Sequence, residues 1–169
     1  MQIPVMIMAG GKGTRFSSEL EKPMALFMGK PLIRRVIDDG NGYHEDVQQA
    51  VQKLNLVSPV LIVSSDLPLI SGEFLDEIIS KYEQTRRPAL TVMIPEEAFR
   101  KFGLEAVSLY EHEGKLYAVS GINIIDGKRI LEEQDQEVIP SSRPEAVFTV
   151  NSLNDLETVK QYVVKTKGN

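Results

Sequence analysis

The stretch "IMAGGKGTRF", residues 7–16, joins a short apolar run to a loop that is rich in glycine and positively charged. The apolar run at 3–8 has the composition of a strand that is buried on both faces of a sheet. In open α/β sheets, ligands bind beyond the carboxyl ends of the strands, which is where this loop lies. Glycine lets backbone N–H groups approach an anion closely, and Lys12 and Arg15 supply positive charge. The stretch therefore predicts a binding site for a phosphate chain.

The loop differs from the two best-known phosphate-binding loops. A dinucleotide fingerprint requires a third glycine or an alanine where this chain has Phe16. A Walker A loop requires a glycine, four further residues and then Gly-Lys-Ser/Thr, whereas Lys12 lies between glycines. Glycine pairs also occur in ordinary strand-to-helix turns, so the loop taken alone leaves that interpretation open.

The composition indicates one globular domain over residues 1–169. Hydrophobic residues make up 42% of the chain and charged residues 25%, as in globular proteins, and the net charge of -5 argues against nucleic acid as a partner. The absence of cysteine excludes disulfides, thiolate metal sites and a cysteine nucleophile, and two histidines exclude a histidine-rich metal site. Because there is neither a basic leader nor an apolar stretch of about 18 residues, we expect a soluble, cytoplasmic protein without a membrane span.

Apolar runs typical of strands alternate with segments that have helical spacing. Strands are predicted at 3–8, within 59–68, at 89–95, in a hairpin at 106–125 that turns at Glu113–Gly114, and at 146–151. Helices are predicted at 30–38, 43–54 and 72–84, and a closing helix follows Ser152, which with Asp155 has the spacing of an N-cap. The alternation predicts a three-layer α/β fold with a mostly parallel sheet, to which the hairpin adds an antiparallel strand.

Two charged residues elsewhere strengthen the phosphate interpretation. Lys22 stands next to Pro23, which stiffens the backbone beside it. Asp66 follows the second buried run, so we expect its carboxylate in the same crevice as the glycine loop. One carboxylate together with phosphate oxygens suits Mg²⁺, which keeps substrate phosphates as ligands. The alternative interpretation is that Asp66 forms a turn before Pro68. The presence of the glycine loop makes this alternative less favoured.

Taken together, these motifs resemble those of the MobA-like nucleotidyltransferase superfamily. "MAGGKGTRF" followed by "EKPM" is similar to its signature, and "SSDLP" is similar to its metal-binding aspartate motif. Within the superfamily, the chain most resembles the archaeal-type adenosylcobinamide-phosphate guanylyltransferases of cobalamin synthesis. The similar pieces span most of the chain in the family's order: "IMAGGKGTR", "EKP", "GNGYHED", "LIVSSDLPLI", "TVMIPEE", "SGINII" and "VNSLNDLE". The first piece identifies the superfamily, and the middle pieces indicate the cobinamide branch.

The resemblance implies a Rossmann-like nucleotidyltransferase fold and transfer of GMP from GTP to adenosylcobinamide phosphate, with release of pyrophosphate. It implies that Arg15 and Lys22 neutralise the triphosphate and that Asp66 holds Mg²⁺. The acceptor phosphate is already an anion, so the reaction needs no general base. The implied partners are GTP and a phosphorylated small molecule, and a homodimer is compatible with them. The residues implied to bind the nucleotide are Met8, Ala9, Gly10, Gly11, Gly13, Thr14 and Asn123, the last near the α-phosphate or a ribose.

The resemblance fails at one place. Between "PLIRRVID" and "GNGYHED" the family pattern has a further strand, helix and strand, a unit of roughly 30 residues. Here the two pieces almost adjoin, with only residues 38–40 at the join. Either the protein has lost an edge of its sheet, or a segment near 37–42 is omitted from the chain. A loss would remove one wall of the nucleotide pocket, which bears on base recognition more than on phosphate chemistry.

Other functions stay open on the sequence alone. A molybdopterin guanylyltransferase or a sugar-phosphate nucleotidyltransferase would share the first loop and differ in the acceptor. A nucleotide-binding module without turnover is favoured by the short join and disfavoured by the intact set of Arg15, Lys22 and Asp66.

Replacing Arg15 or Lys22 by alanine should lower turnover much more than it lowers fold stability. Substitutions of charged loop residues usually change the free energy of unfolding by under about 0.5 kcal/mol. Removing a charge that meets the transition state commonly costs on the order of 3 kcal/mol in activation. Pyrophosphate release and urea unfolding, measured on each variant, give the two quantities, and turnover equal to that of the parent would reject the role.

The short join gives a second prediction, which an intact mass decides. We expect an omitted segment, because the flanking motifs are undisturbed and the loss of two strands would expose the edge of a buried parallel sheet. The protein purified from its source should then be heavier than 18.9 kDa. A mass near 18.9 kDa would instead show that the unit is truly lost.

Overall fold

Five strands that point in one direction and one long strand that runs against them form the central sheet. The computed structural model describes residues 3–9, 26–27, 30–31, 43–106 and 108–167. The strands in these residues are β1 Val5–Met8, β2 Leu26–Phe27, β3 Lys30–Pro31, β4 Pro59–Ser64, β5 Ala89–Pro95, β6 Tyr110–His112, β7 Lys115–Asp126 and β8 Gln136–Pro140. The order in the central sheet is β1-β4-β7-β5-β8, with β6 paired to β7, and β2 and β3 form a separate pair.

Helices lie between the strands and follow the last of them. They are α1 Tyr43–Lys53, α2 Gly72–Gln84, α3 Glu96–Lys101, α4 Pro144–Val147 and α5 Leu153–Lys167, with a 3₁₀ turn at Gly127–Arg129. The backbone N–H of Asp155 donates to Ser152 Oγ at 3.2 Å, and Asp155 Oδ2 accepts from the N–H of Asn151 at 2.8 Å. These two bonds satisfy donors at the start of α5, so the N-cap predicted from the sequence is confirmed.

Strand β4 shows why the fold has three layers. Its side chains alternate between the two faces of the sheet, as they do in any strand. Leu61 and Val63 pack in the cluster that holds Phe74 and Ile78 of α2. Val60 and Ile62 pack in the other cluster, with Met8 and with Val47 and Val51 of α1. The sheet is therefore covered by helices on both faces, which confirms the predicted three-layer α/β fold.

The predicted elements agree with the structure over most of the described chain. The helix at 72–84 and the strand at 89–95 have the predicted bounds. Helix α1 ends at Lys53, one residue before the predicted end of the helix at 43–54. The hairpin turns where predicted, with positive φ at Glu113 and Gly114. Residues 32–42 lie outside the described residues, so the helix predicted at 30–38 is described only at Lys30–Pro31, which belong to β3.

One predicted strand is wrong, and two elements were not predicted. Residues 146–151 form no strand, because Pro144 begins a helical turn that ends at Val147, and the last parallel strand is the unpredicted β8. Ala146, Val147 and Phe148 are nevertheless buried, so their apolar character reflects packing in the core. The short helix α3 was also not predicted, and it follows directly after β5.

Strand β1 is not buried on both faces as predicted. Val5 is 50% exposed and Ile7 is 48% exposed, whereas Met8 is buried. In the described part of the chain, β1 stands at the end of the sheet order and pairs with β4 alone. Met8 packs against α1, whereas Val5 and Ile7, on the other face of the strand, are each about half exposed.

Gly121 sits in an irregular part of the pairing between β5 and β7. The register shifts between Thr91 and Met93, so that three residues of β7 face Val92 alone. Gly121 has a φ of 76°, and a Cβ at this position would lie 2.7 Å from Ser64 Cβ. A bulge of this kind re-aims the strand, and here it lies two residues before Asn123. Both the left-handed backbone and the close approach of β4 therefore require glycine.

Replacing Gly121 by alanine should destabilise the protein more than the same change at Gly114. Gly114 has a φ of 75° but open space around it, so Gly114→Ala meets only the backbone strain of about 1 kcal/mol. Gly121→Ala adds a clash with Ser64 and should cost at least about 1 kcal/mol more. Urea unfolding measures the free energy of unfolding of both variants. Equal decreases in the two would show that β4 shifts at Ser64 without cost.

Candidate functional site

Strands β1 and β4 bring two distant parts of the chain to one edge of the sheet. They are parallel, with Met8 opposite Ser64. The N–H of Ser65 donates to the carbonyl oxygen of Met8 at 2.8 Å, which continues the ladder by one residue. Ala9 and Asp66 therefore leave the sheet at the same carboxyl edge, the edge at which ligands bind in α/β folds.

Asp66 is held through both its side chain and its backbone. Ser64 Oγ donates to Asp66 Oδ1 at 2.6 Å. The N–H of Val150 donates to the carbonyl oxygen of Asp66 at 2.8 Å, which also brings the segment before α5 to this edge. A carboxylate fixed in this way has a defined direction, as a ligand of a cation or of a polar substrate must have.

Asn123 reaches the site from the antiparallel strand β7. In the sheet it stands opposite Ile62 of β4 on one side and opposite Thr91 of β5 on the other. Thr91 Oγ1 donates to Asn123 Oδ1 at 2.7 Å, and Asn123 Nδ2 donates to the Tyr43 hydroxyl at 3.2 Å. The side chain of Asn123 thus lies between a buried threonine and a tyrosine at the start of α1.

The Tyr43 hydroxyl is bonded to Asn123 and is influenced electrostatically by Asp66. Burial raises the pKa of the Tyr43 phenol, the hydrogen bond from Asn123 acts in the opposite direction, and the Asp66 carboxylate raises it further. The residue as a whole is 43% exposed. With a pKa above its ordinary value, the hydroxyl is neutral at physiological pH and keeps its proton for hydrogen bonding.

Asp66 and Asn123 were predicted from the sequence as site residues, whereas the three residues that are hydrogen-bonded to them were not. These are Tyr43, Ser64 and Thr91. Tyr43 stands in the quoted piece "GNGYHED", so its position in a matching motif was the available signal. Ser64 and Thr91 offered none, because a single hydroxyl within an apolar strand is common in sheets.

The other predicted site residues divide between described and undescribed parts of the chain. Met8 and Ala9 are buried at the end of β1. The positions outside the described residues are Gly10, Gly11, Gly13, Thr14, Arg15 and Lys22, together with the join at 37–42. Their predicted roles stay predictions.

Asp66 is the carboxylate around which a metal site would form. The described residues contain no group of three or more histidine, cysteine, aspartate or glutamate side chains suited to a metal ion. The described residues therefore contain no closed metal cage made of protein ligands alone. Mg²⁺ does not need such a cage, because it binds through one or two carboxylates plus substrate phosphates. The donor set at Asp66 therefore fits Mg²⁺ brought in with a nucleotide.

Within the described residues, no helix has the length and apolar character needed to cross a membrane.

Comparison with curated proteins gives distant relatives. No protein-family model matches the chain. The bifunctional protein GlmU of Cellvibrio japonicus is 26% identical over 130 residues, covering 56% of this chain and 29% of that protein. The GlmU of Fervidobacterium nodosum is 24% identical over 177 residues, covering 78% of this chain and 39% of that protein. The chain thus spans about a third of the length of the curated relatives that it matches.

The alignment with the Cellvibrio protein contains a deficit in this chain. Because 56% of 169 residues is about 95, about 35 of the 130 aligned positions have no counterpart here. This number is close to the roughly 30 residues of one strand-helix-strand unit.

Solved structures with the same fold include proteins named as transferases. A hypothetical transferase from Thermus thermophilus has a TM-score of 0.70 at 14% identity and covers 92% of this chain and 100% of its own. The molybdopterin-guanine dinucleotide biosynthesis protein A from Archaeoglobus fulgidus has a TM-score of 0.65 at 14% identity, covering 96% and 100%. A glucose-1-phosphate thymidylyltransferase from Bacillus anthracis has a TM-score of 0.56 at 13% identity, covering 77% and 74%. The chain has the α/β fold of the nucleotidyltransferases.

Proposed function

We propose that the protein is a nucleotidyltransferase, which transfers a nucleoside monophosphate from a nucleoside triphosphate to a phosphorylated small molecule. The observation that carries the proposal is the parallel register of β1 and β4, which brings Asp66 to the sheet edge where β1 ends. The glycine loop follows β1 directly in the sequence. The fold and the relatives support the same class.

The reaction proposed in particular transfers GMP from GTP to adenosylcobinamide phosphate in cobalamin biosynthesis, in the cytoplasm. An oxygen of the acceptor phosphate attacks the α-phosphorus of GTP and forms a new P–O bond. The bond from the α-phosphorus to the bridging oxygen breaks, and pyrophosphate leaves with that electron pair. The products are adenosylcobinamide-GDP and pyrophosphate. The attacking oxygen is already ionised, so no side chain has to remove a proton.

The residues of the chain act by positioning and by charge. Arg15 and Lys22 would neutralise the triphosphate, and the backbone of Ala9 to Gly13 would bind its oxygens. Asn123 would donate a hydrogen bond to an oxygen of the nucleotide near the α-phosphate or a ribose. Asp66 would hold Mg²⁺, which when bound neutralises charge on the triphosphate and on the leaving pyrophosphate.

Two other acceptors are favoured by specific relatives. The similarity to the Archaeoglobus protein favours a molybdopterin guanylyltransferase, and the GlmU and thymidylyltransferase relatives favour sugar-phosphate nucleotidyl transfer. These relatives support the two alternatives more than the cobinamide step, which rests on the sequence motifs. Nucleotide binding without turnover is the non-enzymatic alternative, and the deficit of about 35 positions favours it.

A substrate panel separates these functions. The protein is mixed with Mg²⁺ and α-labelled GTP, and in parallel with UTP or dTTP. The acceptors are adenosylcobinamide phosphate, molybdopterin, glucose 1-phosphate and N-acetylglucosamine 1-phosphate. Label transferred to one acceptor, with pyrophosphate released in equal amount, identifies the reaction. Tight nucleotide binding without label transfer to any acceptor would leave the binding module as the function.

Asp66→Asn should lower turnover by at least about 100-fold, because it removes the carboxylate charge that would hold the cation while keeping the shape of the side chain. The matched control is Asp76→Asn, the same change at an exposed position on α2. The control should keep the parental rate. Pyrophosphate release at several Mg²⁺ concentrations measures both variants, and an Asp66→Asn protein with the parental rate would remove Asp66 from the mechanism.

A further inference from the structure

The side-chain amide of Asn123 is held from two sides by hydroxyl groups of different elements. Thr91 belongs to β5 and is 4% exposed, so its hydroxyl approaches from the interior of the sheet. Tyr43 belongs to α1, the helix that packs on the face of the sheet formed by Val60 and Ile62 of β4. The Thr91 hydroxyl donates to Asn123 Oδ1 at 2.7 Å, and Asn123 Nδ2 donates to the Tyr43 hydroxyl at 3.2 Å.

This arrangement determines what Asn123 can offer a ligand. An asparagine amide has two N–H donors and one carbonyl oxygen. Its carbonyl oxygen is turned toward buried Thr91, and one of its two N–H donors is used by Tyr43. The second N–H has no partner among the residues that the structure describes. Without such contacts, the terminal torsion of asparagine is broad and the amide would turn over freely.

We propose that Tyr43 and Thr91 are positioning residues that fix the amide of Asn123, so that its second N–H donates to an oxygen of the bound nucleotide. This inference rests on the proposed function and adds two residues and a hydrogen-bond direction to it. A donor that is fixed before binding loses little freedom when the nucleotide arrives, and it needs no reorientation during the reaction. Tyr43 acts here through Asn123 and as a neutral hydroxyl.

A double-mutant cycle on Tyr43 and Asn123 tests whether one residue acts through the other. GTP with Mg²⁺ is the ligand, and both its affinity, by titration calorimetry, and the rate of pyrophosphate release are measured. Asn123→Ala should weaken at least one of these by about 10- to 100-fold, and Tyr43→Phe by about 5- to 10-fold. In the Asn123→Ala protein, the added Tyr43→Phe change should cause no further loss, because the group that Tyr43 orients is gone.

Four further variants sharpen the test. Thr91→Val removes the buried hydroxyl and should reproduce the loss, whereas Thr91→Ser keeps a hydroxyl and should restore most of the parental value. Tyr110→Phe is the matched control, since Tyr110 is exposed on the hairpin, and it should change nothing. Asn123→Asp replaces the amide donors by carboxylate oxygens. It should be at least as damaging as Asn123→Ala if an N–H meets the nucleotide, and it should keep function if the carbonyl oxygen does.

The outcomes separate this inference from the proposed function. The positioning role would be overturned if Tyr43→Phe lowered GTP affinity or rate equally in the parent and in the Asn123→Ala protein. It would also be overturned if the Tyr43→Phe protein kept the parental affinity and rate. If the parent binds GTP but no nucleoside monophosphate is transferred to any acceptor from GTP, UTP or dTTP, the proposed function fails, and the cycle on GTP affinity still decides the roles of Tyr43 and Thr91. If the parent binds none of GTP, UTP and dTTP in the presence of Mg²⁺, both proposals are overturned.

Discussion

The parallel pairing of β1 with β4 is the constraint on which the candidate site depends. Parallel strands cannot be joined by a tight turn, so the chain must cross between them before it returns. When it does return, Met8 and Ser64 stand side by side, and the residues that follow each strand emerge at one edge. That register places Asp66 next to the end of β1, where the glycine loop begins. A shift by one residue would turn the alternating side chains of β4 to the wrong faces of the sheet.

The antiparallel strand β7 completes the site by entering the sheet between two strands that point the other way. It delivers Asn123 from its middle, where hydrogen bonds to β4 and β5 fix the backbone on both sides. The bulge at Gly121 lets β7 pass close to Ser64, the residue whose hydroxyl holds Asp66. Ser64, which holds Asp66, therefore lies close to the part of β7 that carries Asn123. This close approach depends on Gly121, a position that only glycine fills without strain.

The sequence by itself determined the layers of the fold, because apolar runs and helical spacing report local burial. It also pointed to Asp66, since a carboxylate after a buried strand has few other places to lie. It could not place Thr91 or Tyr43 beside Asn123, because these contacts join residues far apart in the chain. It misassigned 146–151 for a related reason, since apolar residues are required wherever the chain is buried, whether or not it forms a strand. Which polar side chains meet was decided only by the tertiary structure, through strand register and helix packing that no local pattern records.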